Sequence, residues 1–324
     1  MFIDKSIAHR VRSYQVPRSR LFEIPMQTGQ IAFTTPPLAP RWQRWLVFSP
    51  VARIAFFAAM LVVFSMLTHT AVVALGWTAQ AADPLHHALA TLGMQLLPAL
   101  LGYLILVRLI EQRRLHELSL RTIPTYGLAG LATGAVLFSV VVGVLWLAGS
   151  YHVTGSDPQV DWLPGVLVAG IGAGIGEEII ARGVLFRIVE EGLGTWWALA
   201  ISALFFGAAH IFNPGATLWS SASIAIEAGL LLAMVYHVTR SLWACIGLHA
   251  AWNIMQGTVY GIPVSGSAGK GWLISNRTGP DWLSGGAFGA EASVVALLVC
   301  SMLSLALLRI ALRRGSGVPL RQRR

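Results

Sequence analysis

The chain has 324 residues, of which 55% are hydrophobic and only 11% are charged, less than half the roughly 25% charged residues of a soluble domain. With 23 Lys and Arg against 14 Asp and Glu, its formal net charge is +9. The charges stand at the ends of long uncharged runs, which excludes a disordered tail protein, an ordinary soluble enzyme and a nucleic-acid-binding domain, and describes a polytopic membrane protein.

A bilayer-crossing helix takes about 20 mostly apolar residues. Residues 1–50 do not qualify. Lys5, Arg10, Arg12, Arg18, Arg20, Arg41 and Arg44 and the prolines at 36, 37 and 40 make them a basic arm, without the apolar core of a signal peptide. Segment 51–160 holds three predicted spans, 55–76, 88–109 and 126–149, with Pro98 as a predicted kink in the second. Segment 161–258 holds four more, 163–189, 196–212, 222–238 and 242–255. Residues 259–286 read as an extracytoplasmic loop. Segment 287–324 supplies the last span, 287–311, headed by Glu291, and a basic tail. The expected fold is an all-α transmembrane helical bundle of about eight spans. Cys245 and Cys300 both fall inside apolar runs and read as small buried hydrophobes.

Lys and Arg gather on the cytoplasmic side of membrane proteins. Eight precede the first span, four arginines lie between Arg108 and Arg121, Arg187 and Arg240 mark the next two connections on that side, and six lie from Arg309 onward. The alternate connections hold only Lys270 and Arg277. Both termini are therefore expected in the cytoplasm, with the tail against anionic lipid. The expected location is the bacterial cytoplasmic membrane, as a multi-pass protein.

A charge at the bilayer centre costs about 2.5–3.5 kcal/mol on insertion scales, so the charges within 163–189 need a reason. Glu178 and Arg182 are four apart and share a helix face, in the favourable order for an internal ion pair. Glu177 lies about 100° around the helix, with no partner within it. A lone buried carboxylate suits a general base. Glycines at 170, 172, 174 and 176 let a neighbouring helix or a substrate backbone approach. The next span carries Phe206 and His210, and 242–255 carries His249 and Asn253, each pair at i, i+4. Together these groups supply a base, two ligands for water or metal and a donor for developing negative charge. As straight spans, His249 lies nearer the cytoplasmic end and His210 near mid-membrane, so tilt or a re-entrant fifth helix is needed to level them.

Glu177-Glu178-x-x-x-Arg182, then Phe206-x-x-x-His210, then His249-x-x-x-Asn253 resembles the motif order of the CPBP family. These are the CAAX-protease-like and bacteriocin-processing intramembrane proteases, related to the Ras-converting CAAX endopeptidase. The resemblance covers about residues 163–256, and departs from the family at Ala181, where an aromatic often precedes the motif arginine. It implies an intramembrane endopeptidase in which Glu177 activates water, His210 holds it, and His249 and Asn253 complete the site and stabilise the oxyanion. Glu178 and Arg182 would hold the architecture, with Phe206 in support. The implied substrate is a membrane-embedded or lipidated peptide in the bilayer, with no nucleic-acid partner. Zinc on Glu177, His210 and His249 and a metal-free site are both left open. The competing readings are a non-catalytic scaffold or bacteriocin-immunity protein of the same fold, and a proton-coupled transporter using Glu227.

Overall fold

A computed structural model describes residues 32–318. Lys5, Arg10, Arg12, Arg18 and Arg20 of the basic arm, and Arg321, Arg323 and Arg324 of the tail, lie outside the described residues. After a short helix, Arg41–Leu46, the long helices are α1 (Pro50–Ala74), α2 (Pro84–Ile110), α3 (Leu120–Leu147), α4 (Trp162–Leu193), α5 (Thr195–Phe212), α6 (Leu218–Thr239) and α8 (Val294–Arg314). Between the last two, α7 runs Leu242–Asn253 and continues as a π-helical turn, Ile254–Val259.

Side chains that satisfy the first free N–H groups fix where several helices begin. Ser49 caps α1, Asp83 caps α2, Asp161 caps α4, Thr217 and Ser220 form a capping box on α6, and Ser293 caps α8. This last cap moves the predicted start of the final span. Glu291 does not head the membrane helix but sits in a separate 3-10 turn, Ala290–Ala292, ahead of it. Pro98 lies inside α2 without ending it.

Among the described residues, seven helices are long and apolar enough to cross a membrane; α7 is not one of them. The predicted span 242–255 is therefore a helix of a different kind. His249, Asn253 and Gln256 make it polar, and eleven of the twelve residues from Leu242 to Asn253 are buried. By contrast, α1 turns Val62, Val63, Met66 and Leu67 outward, and α8 turns out Leu298, Met302 and Leu305, as lipid-facing helices do.

Small residues let α7 sit this deep. A Cβ on Gly130 or Gly134 of α3 would strike the backbone carbonyls of Ala244 and Leu248, and one on Gly247 would strike Gly127 of α3. This is the backbone-to-backbone approach of small-residue helix packing. The glycines of α4 act the same way. Gly172 and Gly176 meet Gln95 of α2, while Gly170 and Gly174 meet Ile254 and Ala250 of α7. Replacing Gly134 with Val forces a side chain against backbone that cannot yield. The expected destabilisation is about 1–3 kcal/mol, read as a lowered unfolding temperature in detergent.

The arginine-rich end of the bundle is not the set of solvated topology charges that the loop pattern suggests. Arg53 is 2% exposed and Arg187 is 1% exposed. Arg53 bonds Glu111 at 2.7 Å and Glu191 at 2.6 Å, and Arg187 reaches the same two carboxylates at 2.9 Å each. Arg113 bonds Glu111 at 2.8 Å and Glu117 at 2.5 Å, and Tyr103 donates its hydroxyl to Glu117. A second cluster places Arg240, His237 and Thr195 on Glu190. The ends of α1, α2, α4 and α6 are thus tied by buried ion pairs. Burial alone would raise the Glu111 and Glu117 carboxyls, but Arg187, Arg113 and Arg53 around the first and Arg113 on the second outweigh it and hold both below the ordinary range. A depressed carboxylate pKa contributes stability that is present above the unfolded value and lost as pH falls through the folded one. Unfolding temperature in detergent is therefore expected to fall as pH drops below about 4.3, and to fall less in Glu111→Gln.

The opposite end carries the long connections, where the sequence gives no sign of a sheet. There β1 (Tyr151–Ser156) pairs antiparallel with β2 (Leu273–Arg277), Tyr151 opposite Arg277, with a bulge between Val153 and Gly155. This joins the α3–α4 connection to the α7–α8 connection.

Candidate active site

Glu177 and Glu178 close an α-helical turn, Ala173–Glu178, set between two π-helical stretches of α4, Gly165–Gly172 and Ile179–Phe186. Interruptions of this kind recur at functional sites. Glu178 and Arg182 are both fully buried, and Arg182 Nη1 donates to Glu178 Oε1 at 2.8 Å. Nη2 of Arg182 donates to the carbonyls of Ala228 and Gly229 on α6 at 3.0 and 2.9 Å, and the guanidinium lies 4.5 Å over the Phe206 ring.

Glu178 has a second role that spacing does not reveal. Its Oε1 lies 2.9 Å from His249 Nδ1 on α7. An ionised carboxylate only accepts, so Nδ1 carries a hydrogen and Nε2 is the ring nitrogen left free. His210 is set the same way by the Phe206 carbonyl, 2.7 Å from its Nδ1. The Phe206 ring stands 4.8 Å from the His210 ring and 6.1 Å from the His249 ring, a wedge between the two. Asn253 donates Nδ2 to the Ala169 carbonyl of α4 at 2.8 Å, so one of its two amide hydrogens is already used.

Two cavities meet at Phe206 and His210. One, about 210 Å³, is lined by Glu177, Ile180, Ala181, Phe205, Phe206, His210 and Asn213. Ala181 leaves room on this wall. Glu177 Oε2 is buried there without a hydrogen-bond partner among the described residues. The other cavity, about 30 Å³, is lined by His210, His249, Asn253, Glu227 and Glu291 with Ser265 and apolar neighbours. At that size it takes a water or two. Glu178 and Arg182 line neither. The fifth helix has no re-entrant start: α5 begins at Thr195, one residue after α4, where Gly194 turns the chain at φ +84°. His210 lies in its last turn, Ala209 being the final α-helical residue, rather than at mid-span.

Glu291 joins the site unforeseen. It is 2% exposed, accepts the Ser265 N–H at 2.6 Å, and burial raises its carboxyl above the ordinary range. Its place at a predicted span boundary hid it. Glu227 was visible as a carboxylate in an apolar run. Its one close side-chain donor among the described residues is Cys300, at 3.6 Å.

The two Nε2 atoms and the free oxygen of Glu177 are donors of the kind zinc takes. Among the described residues, however, no three His, Cys, Asp or Glu side chains come together as a metal ion needs, so Glu177, His210 and His249 do not fit a three-ligand zinc site as they stand.

The fold and these motifs define a multi-pass helical membrane protein with a polar site inside the bundle. Residues 159–255 match the family model described as Rce1-like, Type II CAAX prenyl endopeptidase Rce1-like. This stretch, under a third of the chain, is similar to that of CAAX-type prenyl endopeptidases. No curated protein matches the chain.

Proposed function

We propose that the chain is an intramembrane endopeptidase that cleaves a membrane-embedded or lipidated peptide with water activated by Glu177. One observation carries this reading. Of two adjacent carboxylates in one helix, each with one buried oxygen unpartnered among the described residues, Glu178 is held through Oε1 by Arg182 and His249 and lines neither cavity, whereas Glu177 faces a cavity it shares with His210. Glu177 takes a proton from water oriented by the Nε2 lone pair of His210. The water oxygen bonds to the scissile carbonyl carbon, and the second amide hydrogen of Asn253, with an Nε2–H of His249 in its imidazolium form, receives the oxyanion. When the C–N bond breaks, the proton on Glu177 passes to the leaving amine. Each step uses side chains that line the two cavities, and no metal takes part. In purified protein, activity is expected to survive chelation to less than one metal ion per chain. Activity that disappears and returns with added zinc would replace this mechanism.

The test is a comparison of membrane proteomes from cells carrying the native chain and Glu177→Ala. Cleavage fragments that depend on Glu177 are expected. Identical proteomes with an unchanged biological effect would favour the scaffold or immunity reading.

A further inference from the structure

The two ends of the bundle differ in a way that bears on how a substrate reaches the site. At the arginine-rich end, Arg53, Glu111, Arg113, Glu117, Arg187 and Glu191 interlock at 2.5–2.9 Å, and the Glu190 cluster closes the gap between α4 and α6. The cavity found at that end runs from Trp196 to Leu312 past His237 and includes no motif residue. The cavities at the site instead draw residues from the other end. His210 is in the last turn of α5, Asn213 follows it, and Ser265 and Glu291 come from the α7–α8 connection. A larger cavity, about 890 Å³, is also there. Its walls are the start of α2 (His87, Thr91), the α3–α4 connection (Asp157, Gln159) and the α7–α8 connection (Val264, Lys270). Ala169, whose carbonyl holds Asn253, lines this cavity, and Val264 lines it beside Ser265 of the inner one. Adjacent residues of the α7–α8 connection thus line the outer chamber and the inner cavity.

We infer that the substrate's scissile segment reaches the site from the arginine-poor end of the bundle, through the chamber between the α3–α4 and α7–α8 connections. This rests on the protease reading for what happens in the site, but access is a property of the fold alone. Lys and Arg mark the cytoplasmic side, and beside the buried ion pairs the arginine-rich end still carries the exposed Arg108, Arg114, Arg121, Arg309, Arg313 and Arg314, so the arginine-poor end faces away from the cytoplasm. The substrate class is then a membrane protein or peptide whose cut segment is exposed on the non-cytoplasmic face. A chamber lined by Asp157, Gln159, Thr91, His87 and Lys270 suits a polar, extended stretch of peptide rather than a lipid tail.

The experiment labels thiols in intact cells with a charged, membrane-impermeant maleimide. Cys245 and Cys300 are fully buried, so the native chain gives no background. Three single variants of the full chain are compared: Gln159→Cys on the chamber rim, Ser265→Cys on the inner cavity, and Leu120→Cys at the arginine-rich end, where Leu120 is exposed. S265C and Q159C are expected to label before lysis, and L120C only after it. Labelling of L120C but not Q159C in intact cells overturns the assignment of sides. S265C unreactive before lysis while Q159C reacts overturns access through the chamber. The readout needs no turnover, so a silent Glu177→Ala would sink the protease reading and leave the labelling pattern as it is.

Discussion

Glu177→Gln is expected to abolish cleavage without unfolding the protein. The amide keeps the volume and shape of the carboxyl but cannot take a proton from water. General-base catalysis contributes about 10²–10⁴-fold, and a loss of that order is the expected result once a substrate is in hand. The unfolding temperature should not fall, because the altered oxygen has no hydrogen bond to lose among the described residues. Glu178→Gln makes the comparison informative. Glu178 is bound by Arg182 and His249, so that neighbouring substitution should lower stability and activity together. If the Glu177 variant retained full turnover while Glu178→Gln lost it with the fold intact, the roles of the two carboxylates would have to be exchanged.

Arg182→Ala is expected to be the most destabilising single change in the site. Arg182 holds Glu178, two carbonyls of α6 and the face of Phe206. Its removal leaves a buried carboxylate facing only His249 and uncaps the Ala228 and Gly229 carbonyls. Breaking a buried pair by removing one partner costs about 3–5 kcal/mol. Thermal unfolding in detergent reads that loss directly. Arg182→Lys should recover only part of it, since one ammonium cannot serve both the carboxylate and the two carbonyls in the planar geometry of a guanidinium. A variant as stable as the native chain would mean that Glu178 is neutral in the folded protein.

Much of this was legible in the residues. Uncharged runs placed the lipid-facing helices, because a helix touching lipid must be apolar on its own account. The i, i+4 spacing paired Glu178 with Arg182, since it depends only on helix geometry. What stayed hidden depends on contacts between distant segments. His249 meets Glu178 across 71 positions of sequence, and Glu291 reaches the site from a connection rather than from a span. Arg53, Arg187 and Arg240 read as topology signals because a buried arginine and a solvated one look alike until their carboxylates, Glu111, Glu190 and Glu191, are seen around them. The sheet of β1 and β2 escaped because its strands are short and 121 residues separate Tyr151 from Leu273, ends of the two strands.

The polarity of α7 has a consequence for how the protein is made. A helix carrying His249, Asn253 and Gln256 gains little by entering lipid alone, and every backbone group it brings along must be satisfied within the membrane. Its stable place exists only where the glycines of α3 and α4 already wait for it. That place is formed by helices synthesised before it, so α7 is expected to settle only once α3 and α4 are in the membrane. The helix that carries His249 and Asn253 is the one whose insertion depends most on the order of synthesis, with three quarters of the chain threaded before it arrives.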